Sequence, residues 1–155
     1  MIGKPAPAFS LKDQDGKNVA LADLKGRHVV LFFYPKDDTP GCTKESCRFR
    51  DLKAEFARRN AIILGVSADD EASHRQFIGK FGLNFTLLCD PDRKVIQAYG
   101  AWGEKNKDGK ISMGLIRSSV LIGSDGVVKH HWPKVADAEK HPDEVLAALS
   151  GLPHG

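Results

Sequence analysis

The sequence has few cysteines, only a small excess of basic over acidic residues, and no long apolar run. Its 155 residues include three cysteines, and 23 basic against 20 acidic side chains leave a net charge of +3. Because the basic residues are scattered, neither nucleic acid nor a membrane surface is an expected partner. No apolar stretch reaches the about 20 residues that a transmembrane helix needs. A chain of this length folds without disulfide staples, and we expect one domain over residues 1–155.

The first residues, MIGKPAPAFSLKDQDG, lack the apolar core of a secretory signal. This favours a cytoplasmic protein, whose cysteines are mostly reduced. In that compartment a close cysteine pair is more typical of catalysis or metal binding than of a structural disulfide. The sequence also has no phosphate-binding glycine loop and no nucleotide motif, so we expect no cofactor.

Apolar runs alternate with segments of helical periodicity along most of the chain. The run HVVLFFY at 28–34 is continuous, β-branched and aromatic, which is typical of a strand buried on both faces. Residues 42–59 place Phe49, Leu52 and Phe56 at helical spacing among charged residues. Further strands are predicted at 61–67, 85–90, 118–123 and 127–132, further helices at 71–81, 95–99 and 141–151, and a hairpin at 9–21.

This order of elements predicts an α/β fold with a mixed central sheet flanked by helices and an N-terminal β-hairpin. It is compatible with a thioredoxin-like fold. In such sheets, ligands bind beyond the carboxyl ends of the strands. The stretch PKDDTPGCTKESC lies there, directly after the strand at 28–34, and it holds Cys42 and Cys47.

Cys42 is predicted to lie in the first turn of the helix that follows this strand. The backbone N–H groups of a first turn lack intrahelical partners, and the helix dipole is positive there. Both effects favour a thiolate, so the placement predicts a nucleophile. The same N–H groups suit a developing oxyanion. The alternative interpretation of Cys42 is a small buried hydrophobic residue.

The spacing of Cys42 and Cys47 leaves several functions open. A zinc site would need His130 and His131, but adjacent residues of a strand point to opposite faces. Thioredoxin-type disulfide exchange normally uses two intervening residues rather than four. On an ideal helix, five residues advance about 7.5 Å and rotate about 500°, so the two side chains face apart. Since a disulfide needs Cα atoms within about 6.8 Å, this part of the helix must unwind before the two cysteines bond.

The residues from Pro35 to Cys42 form the pattern Pro-x-x-x-Thr-x-x-Cys, with the threonine at position 39. This pattern matches the active-site signature of the peroxiredoxins. The segment PGCTKESCRFRD resembles their bacterioferritin-comigratory, or PrxQ, branch in particular. The resemblance extends over nearly the whole chain, through the segments KPAPAFSL, YGAWGEK, GLIRSSVLIGSDG and HPDEVLAAL.

The resemblance implies a role for each residue of the signature. Cys42 would be the peroxidatic cysteine, which attacks a peroxide oxygen and becomes a sulfenic acid. Thr39 would offer its hydroxyl to the peroxide, and Pro35 would shield the sulfur from water. Arg117 would hold the thiolate and polarise the leaving oxygen. Glu45 would contact this arginine, and Gly41 would lie beside the site.

The resemblance further implies that Cys47 is the resolving cysteine of an atypical two-cysteine peroxiredoxin. It would form an intramolecular disulfide with Cys42, which thioredoxin or a similar reductant would reopen. Hydrogen peroxide and organic hydroperoxides are the expected substrates. Cys89 is expected to be a buried thiol at a strand end, and a redox role as an alternative partner is the other interpretation. A monomer is expected, because the chain lacks the longer C-terminal arm of dimeric relatives.

Two other functions remain alternatives at the level of the sequence. One is a disulfide oxidoreductase without peroxidase activity, and the other is a zinc-binding or redox-sensing module. Arg117 and Thr39 favour the peroxidase, since disulfide exchange requires neither residue. We expect no bound metal. The charged run from Lys36 to Asp38 is predicted to be a solvated loop.

Overall fold

The computed structural model describes residues 1–152, except for the side chain of Lys107. Two of the strands form a hairpin apart from the main sheet. The strands are β1 (Ser10–Asp13), β2 (Asn18–Ala20), β3 (His28–Phe33), β4 (Ala61–Ser67), β5 (Thr86–Cys89), β6 (Trp102–Lys107), β7 (Lys110–Leu115), β8 (Ser118–Ile122) and β9 (Val128–Trp132). The helices are α1 (Pro40–Arg58), α2 (Glu71–Phe81), α3 (Lys94–Ala98) and α4 (His141–Ser150), with a short 3-10 helix at Leu21–Leu24.

Seven strands form one mixed sheet in the order β2-β1-β5-β4-β3-β8-β9. Strands β3, β4 and β5 are parallel to one another, whereas β8 pairs antiparallel with β3 and β1 pairs antiparallel with β5. The predicted N-terminal hairpin is confirmed as β1 and β2. The mixed sheet with flanking helices is the thioredoxin-like architecture that the sequence predicts.

Strand β3 lies in the interior of this sheet, between β4 and β8, and both of its faces are covered. Val30 and Phe32 belong to a core that includes side chains of α1, α2 and α4. Val29, Leu31 and Phe33 face the opposite core, which includes α3. All six residues of β3 are buried, which explains why its sequence is continuously apolar rather than alternating.

The hairpin of β6 and β7 was not predicted from the sequence. Strand β6 has one large apolar residue, Trp102, and the two strands pair with each other rather than with the main sheet. The available signal was the dipeptide Asp108-Gly109, where both residues have positive φ, as a tight hairpin turn requires. Within residues 1–152, no helix is both long and apolar enough to cross a bilayer.

Candidate active site

Cys42 lies at the start of α1, the helix that follows β3. Thr39 is the N-cap residue, with extended backbone, and Pro40 occupies the first helical position, where its fixed φ suits a helix start. The first intrahelical bond runs from the Thr43 N–H to the Thr39 carbonyl at 2.8 Å. Cys42 is therefore in the first turn, as predicted, and its side chain is fully buried.

Arg117 reaches the sulfur of Cys42 from the neighbouring strand. It directly precedes β8, whose Ser118 pairs with Phe33 at the end of β3. This pairing brings the guanidinium beside the start of α1, where Nη2 donates to Cys42 Sγ at 3.2 Å. The contact places a permanent positive charge within hydrogen-bond distance of the sulfur.

Glu45 holds the other side of the same guanidinium. Arg117 Nη1 donates to Glu45 Oε1 at 2.8 Å, while Glu45 itself is fully buried. Burial raises the pKa of this carboxyl to about 7, and the positive charge of Arg117 only partly opposes the rise. Cys42 and Glu45, three residues apart on one helix face, thus share one cation.

Gly41 leaves the space in which the guanidinium sits. A Cβ built on this glycine would lie 2.9 Å from Arg117 Nη2. Any larger residue would push the guanidinium away from the sulfur. The glycine of the Pro-Gly-Cys sequence is therefore required by a close approach of side chain to backbone.

The site has a buried cysteine at a helix start, an arginine in contact with its sulfur, and a buried glutamate that binds this arginine. The chain is also similar to known proteins over most of its length. Residues 2–131 match the AhpC/TSA family. The chain belongs to this family. Because its relatives at 44% identity are named peroxiredoxin Bcp, it is a peroxiredoxin of the Bcp/PrxQ group, and its activity is that of a thiol-dependent peroxidase.

Among the relatives, a putative peroxiredoxin bcp of Coxiella burnetii is 44% identical, covering 96% of this chain and 97% of its own. Peroxiredoxin Bcp of Bacillus subtilis is also 44% identical, with 97% and 94% covered. A structure of the Xanthomonas campestris bacterioferritin comigratory protein, studied for alkyl peroxide reduction, superposes with a TM-score of 0.86. It is 40% identical, and the match covers 92% of this chain and 90% of that one.

Pro35 and Arg117 line a cleft at the surface of this peroxiredoxin. The cleft has a volume of about 630 Å³ and is also lined by Ile116, Val135 and residues of β6. Thr39 is half-buried, and its hydroxyl donates to the Lys36 carbonyl at 2.9 Å, which leaves the oxygen able to accept. The structure thus places Pro35 at the cleft, and Thr39 at the helix start beside Gly41 and Cys42.

Cys47 lies on the same helix as Cys42, and all three cysteines are free. It is half-buried and opens to a second surface cleft, of about 550 Å³, between α1 and the start of α4. Both cysteines lie in one continuous helix, as predicted. Arg48 and Asp143 form a bidentate ion pair across the same cleft, at 2.8 and 2.6 Å.

Cys89 lies apart from these two cysteines, at the end of β5. It is buried, and burial followed by the charges of nearby acidic side chains raises its pKa to about 12. A thiol with this pKa stays protonated at neutral pH and is a poor nucleophile. This agrees with its prediction as a buried thiol at a strand end.

The cysteines and histidines of the zinc alternative do not form a ligand cluster among the described residues. Within residues 1–152, the one group of three potential metal ligands close together is Asp37, Asp69 and His74, which includes no cysteine. The side chains of this group are already engaged with protein partners. His74 Nδ1 lies 2.7 Å from Asp37 Oδ2, and Asp69 Oδ2 accepts from the hydroxyl of Ser67 at 2.8 Å.

The prediction that Lys36–Asp38 is a solvated loop was wrong for Asp37. This residue is buried, and its carboxylate accepts hydrogen bonds from the hydroxyls of Tyr34 at 2.5 Å and Ser73 at 2.8 Å. It also contacts His74. Sequence reasoning missed this network because its members come from two segments far apart in the chain, the loop after β3 and helix α2. The only local signal was a tyrosine three residues before an aspartate.

His141 is a second residue near the site that the sequence did not single out. It begins α4, is buried, and lies with Nε2 at 2.8 Å from Ser119 Oγ. Burial, with a smaller effect of the Arg117 charge, lowers its pKa to about 4. At neutral pH His141 is therefore uncharged. Arg117 is then not repelled by a second positive charge from this histidine.

Proposed function

We propose that this protein reduces hydrogen peroxide and organic hydroperoxides at Cys42, with Cys47 as the resolving cysteine and thioredoxin as the reductant. The contact of Arg117 Nη2 with Cys42 Sγ at 3.2 Å carries the proposal. It pairs the nucleophile with a fixed positive charge at a helix start, next to a cleft that reaches the surface. Disulfide exchange alone would not require this guanidinium.

In the first step, the thiolate sulfur attacks one peroxide oxygen, and the O–O bond breaks. Negative charge develops on the leaving oxygen, which Arg117 and the free N–H groups of the first turn are positioned to stabilise. The Thr39 hydroxyl accepts a hydrogen bond from the peroxide and orients it. Pro35 limits the access of water to the sulfur, which becomes a sulfenic acid.

In the second step, the Cys47 thiol condenses with the sulfenic acid, releasing water and forming the disulfide. Both cysteines are helical in the reduced protein, so the beginning of α1 must unwind first. The half-buried position of Cys47 beside a surface cleft supports its reaction with an external thiol afterwards. A reductant of the thioredoxin type then restores both thiols.

Peroxide consumption with a thioredoxin system tests this function. Cys42→Ser should abolish turnover, because a serine hydroxyl is not ionised at neutral pH. Cys47→Ser should react with one equivalent of peroxide and then stop, with a drift to the sulfinic acid. Cys89→Ser is the matched control and should cycle normally. Turnover by Cys42→Ser would reject the proposal, and normal cycling by Cys47→Ser would reject the assigned resolving cysteine.

We infer that the protein works as a monomer in the cytoplasm. Few large apolar side chains of the described residues are exposed, namely Met1, Ile2, Ile111 and Met113. An obligate dimer would need a larger apolar surface. Light scattering across a range of protein concentrations tests this inference, and a stable dimer in the reduced protein would contradict it.

A further inference from the structure

Glu45 has a buried carboxylate oxygen that no hydrogen bond accounts for. Oε1 is held by Arg117, but among the described residues Oε2 has no partner and is inaccessible to solvent. An ionised carboxylate with a bare buried oxygen is costly, whereas a neutral carboxylic acid avoids most of this cost. In agreement, burial raises the pKa of Glu45 to about 7.

The surroundings of Glu45 contain two acids and one cation. Cys42 lies three residues earlier on α1, and Arg117, directly before β8, donates to both groups. From α4, His141 faces Arg117, but burial keeps it neutral, with a pKa of about 4. One guanidinium therefore compensates one negative charge, and two acids in contact with the same cation do not ionise independently.

We propose that Glu45 carries a proton while Cys42 is a thiolate, and gives up this proton when peroxide oxidises the sulfur. The negative charge beside Arg117 then passes from Cys42 Sγ to the Glu45 carboxylate. This inference rests on the proposed function, and it makes Glu45 a positioning residue that acts through Arg117. The buried site keeps the same net charge before and after the reaction.

The step balances in atoms, electrons and protons. A sulfur lone pair forms the S–O bond, the O–O bond breaks, and the sulfur loses two electrons that the peroxide gains. The attacked oxygen keeps its hydrogen in the sulfenic acid, while the other oxygen leaves as hydroxide or alkoxide. That anion needs one proton to become water or alcohol, and ionisation of Glu45 releases one proton. No proton is taken from bulk solution overall.

Infrared difference spectroscopy tests the protonation of Glu45 directly. In the Cys47→Ser protein, which stops at the sulfenic acid, peroxide should remove the band of a buried carboxylic acid and add that of a carboxylate. Glu45→Gln in the same background should lack this difference. Asp90→Asn is the matched control, because Asp90 is also a buried carboxyl with a raised pKa, and it should retain the difference.

Mass spectrometry of the same samples separates failure of this inference from failure of the proposed function. If Cys42 gains no oxygen, the proposed function is wrong. If Cys42 gains one oxygen and the acid band of the Cys47→Ser protein does not change, Glu45 is not the proton carrier and the inference is overturned. This readout on the Cys47→Ser protein stands even where the Glu45→Gln protein does not fold.

A pH-indicator dye gives the proton count in a single turnover. The Cys47→Ser protein should take up almost no protons from a weakly buffered solution when peroxide reacts. The Cys47→Ser, Glu45→Gln protein should take up one more proton per peroxide, because its amide has none to release. Equal proton uptake by the two proteins would contradict the transfer of charge from the sulfur to the carboxylate.

Discussion

At Gly41, the backbone of the helix that carries the nucleophile comes within contact distance of the guanidinium of Arg117. The missing side chain is what permits this approach, since a Cβ would lie 2.9 Å from Nη2. The reactivity of the sulfur therefore depends on a residue that contributes no functional group.

Gly41→Ala should slow the reaction of Cys42 with peroxide while leaving the fold intact. Displacement of the guanidinium weakens one hydrogen bond to a charged group, and a loss of about 1.4 kcal/mol corresponds to about tenfold in rate. Stopped-flow kinetics measures this change. Gly79→Ala is the matched control, because Gly79 lies in α2 with nothing within 4 Å of its would-be Cβ. A similar rate loss in both variants would contradict this account of Gly41.

Arg117→Ala should slow the same step more than it lowers stability. Charge-assisted hydrogen bonds of this kind contribute about 1.5–3 kcal/mol, equivalent to roughly 10–150-fold in rate. Arg117→Lys should recover only part of the loss, because an ammonium group does not have the planar, forked geometry with which the guanidinium donates to both Cys42 and Glu45. Arg48→Ala, which removes a surface arginine of α1, is the control. A loss well under tenfold for Arg117→Ala would reject its role.

At the scale of elements, α1 holds two cysteines that cannot bond while it stays helical. Its first turn is stabilised by few internal hydrogen bonds, and Thr39 makes no side-chain cap. Further along α1, Arg48 forms a bidentate ion pair with Asp143 of α4, which holds this part of the helix in place. The region that unwinds on oxidation is therefore expected to end near Arg48.

Hydrogen exchange on the two redox states measures this unwinding. The disulfide form should exchange its backbone amides faster from Gly41 to Arg48, because the helical hydrogen bonds there are lost. Strand β3, buried on both faces, should stay protected in both states. Equal protection of this part of α1 in both states, with the disulfide established by mass, would contradict the proposed unwinding.

At the scale of the whole molecule, a buried network joins the site to the rest of the sheet. Tyr34, directly after β3, and Ser73 of α2 both donate to Asp37, in the loop that leads to Cys42. His74 lies 2.7 Å from Asp37 through Nδ1 and 2.9 Å from the Leu88 carbonyl through Nε2. Both ring nitrogens thus face acceptors, which a doubly protonated ring satisfies.

The stability of the protein should depend on pH through His74. Burial lowers the pKa of His74, but Asp37 and the Leu88 carbonyl outweigh it, so the net shift is upward. The folded pKa thus exceeds the unfolded value of about 6.5. The extra stability is fully present below about pH 6.5 and is lost as pH rises through the folded pKa.

Denaturant unfolding between about pH 6 and pH 9 tests the role of His74. The free energy of unfolding of the native protein should fall relative to that of His74→Gln as pH rises. His130→Gln is the control, because the His130 ring stacks on Trp132 rather than on a carboxylate. Parallel pH profiles for the native protein and His74→Gln would contradict a charged His74 in the fold.

Features that depend on near neighbours in the chain could be predicted from the sequence. The strand, the helix and the nucleophile at the helix start each follow from a local pattern. These patterns are the apolar run of β3, the helical spacing of α1 and the residues from Pro35 to Cys42. The position of Arg117 also followed from sequence, but only through resemblance to a known family. The hydrogen bond from Arg117 to Cys42, 75 residues earlier, depends on the pairing of β8 with β3.

The burial of polar residues and the contacts between charges depend on long-range packing, which the sequence does not reveal. Asp37 looks like a loop residue in the sequence, yet α2 covers it and supplies His74, 37 residues away. Glu45 looks like an ordinary helical glutamate, yet in the fold its carboxylate is buried and its hydrogen-bond partner is Arg117. Burial and long-range contacts set the free energy of a charge, and neither is encoded in the residues beside it. For this reason the nucleophile could be predicted from the sequence, whereas the protonation of its surroundings could not.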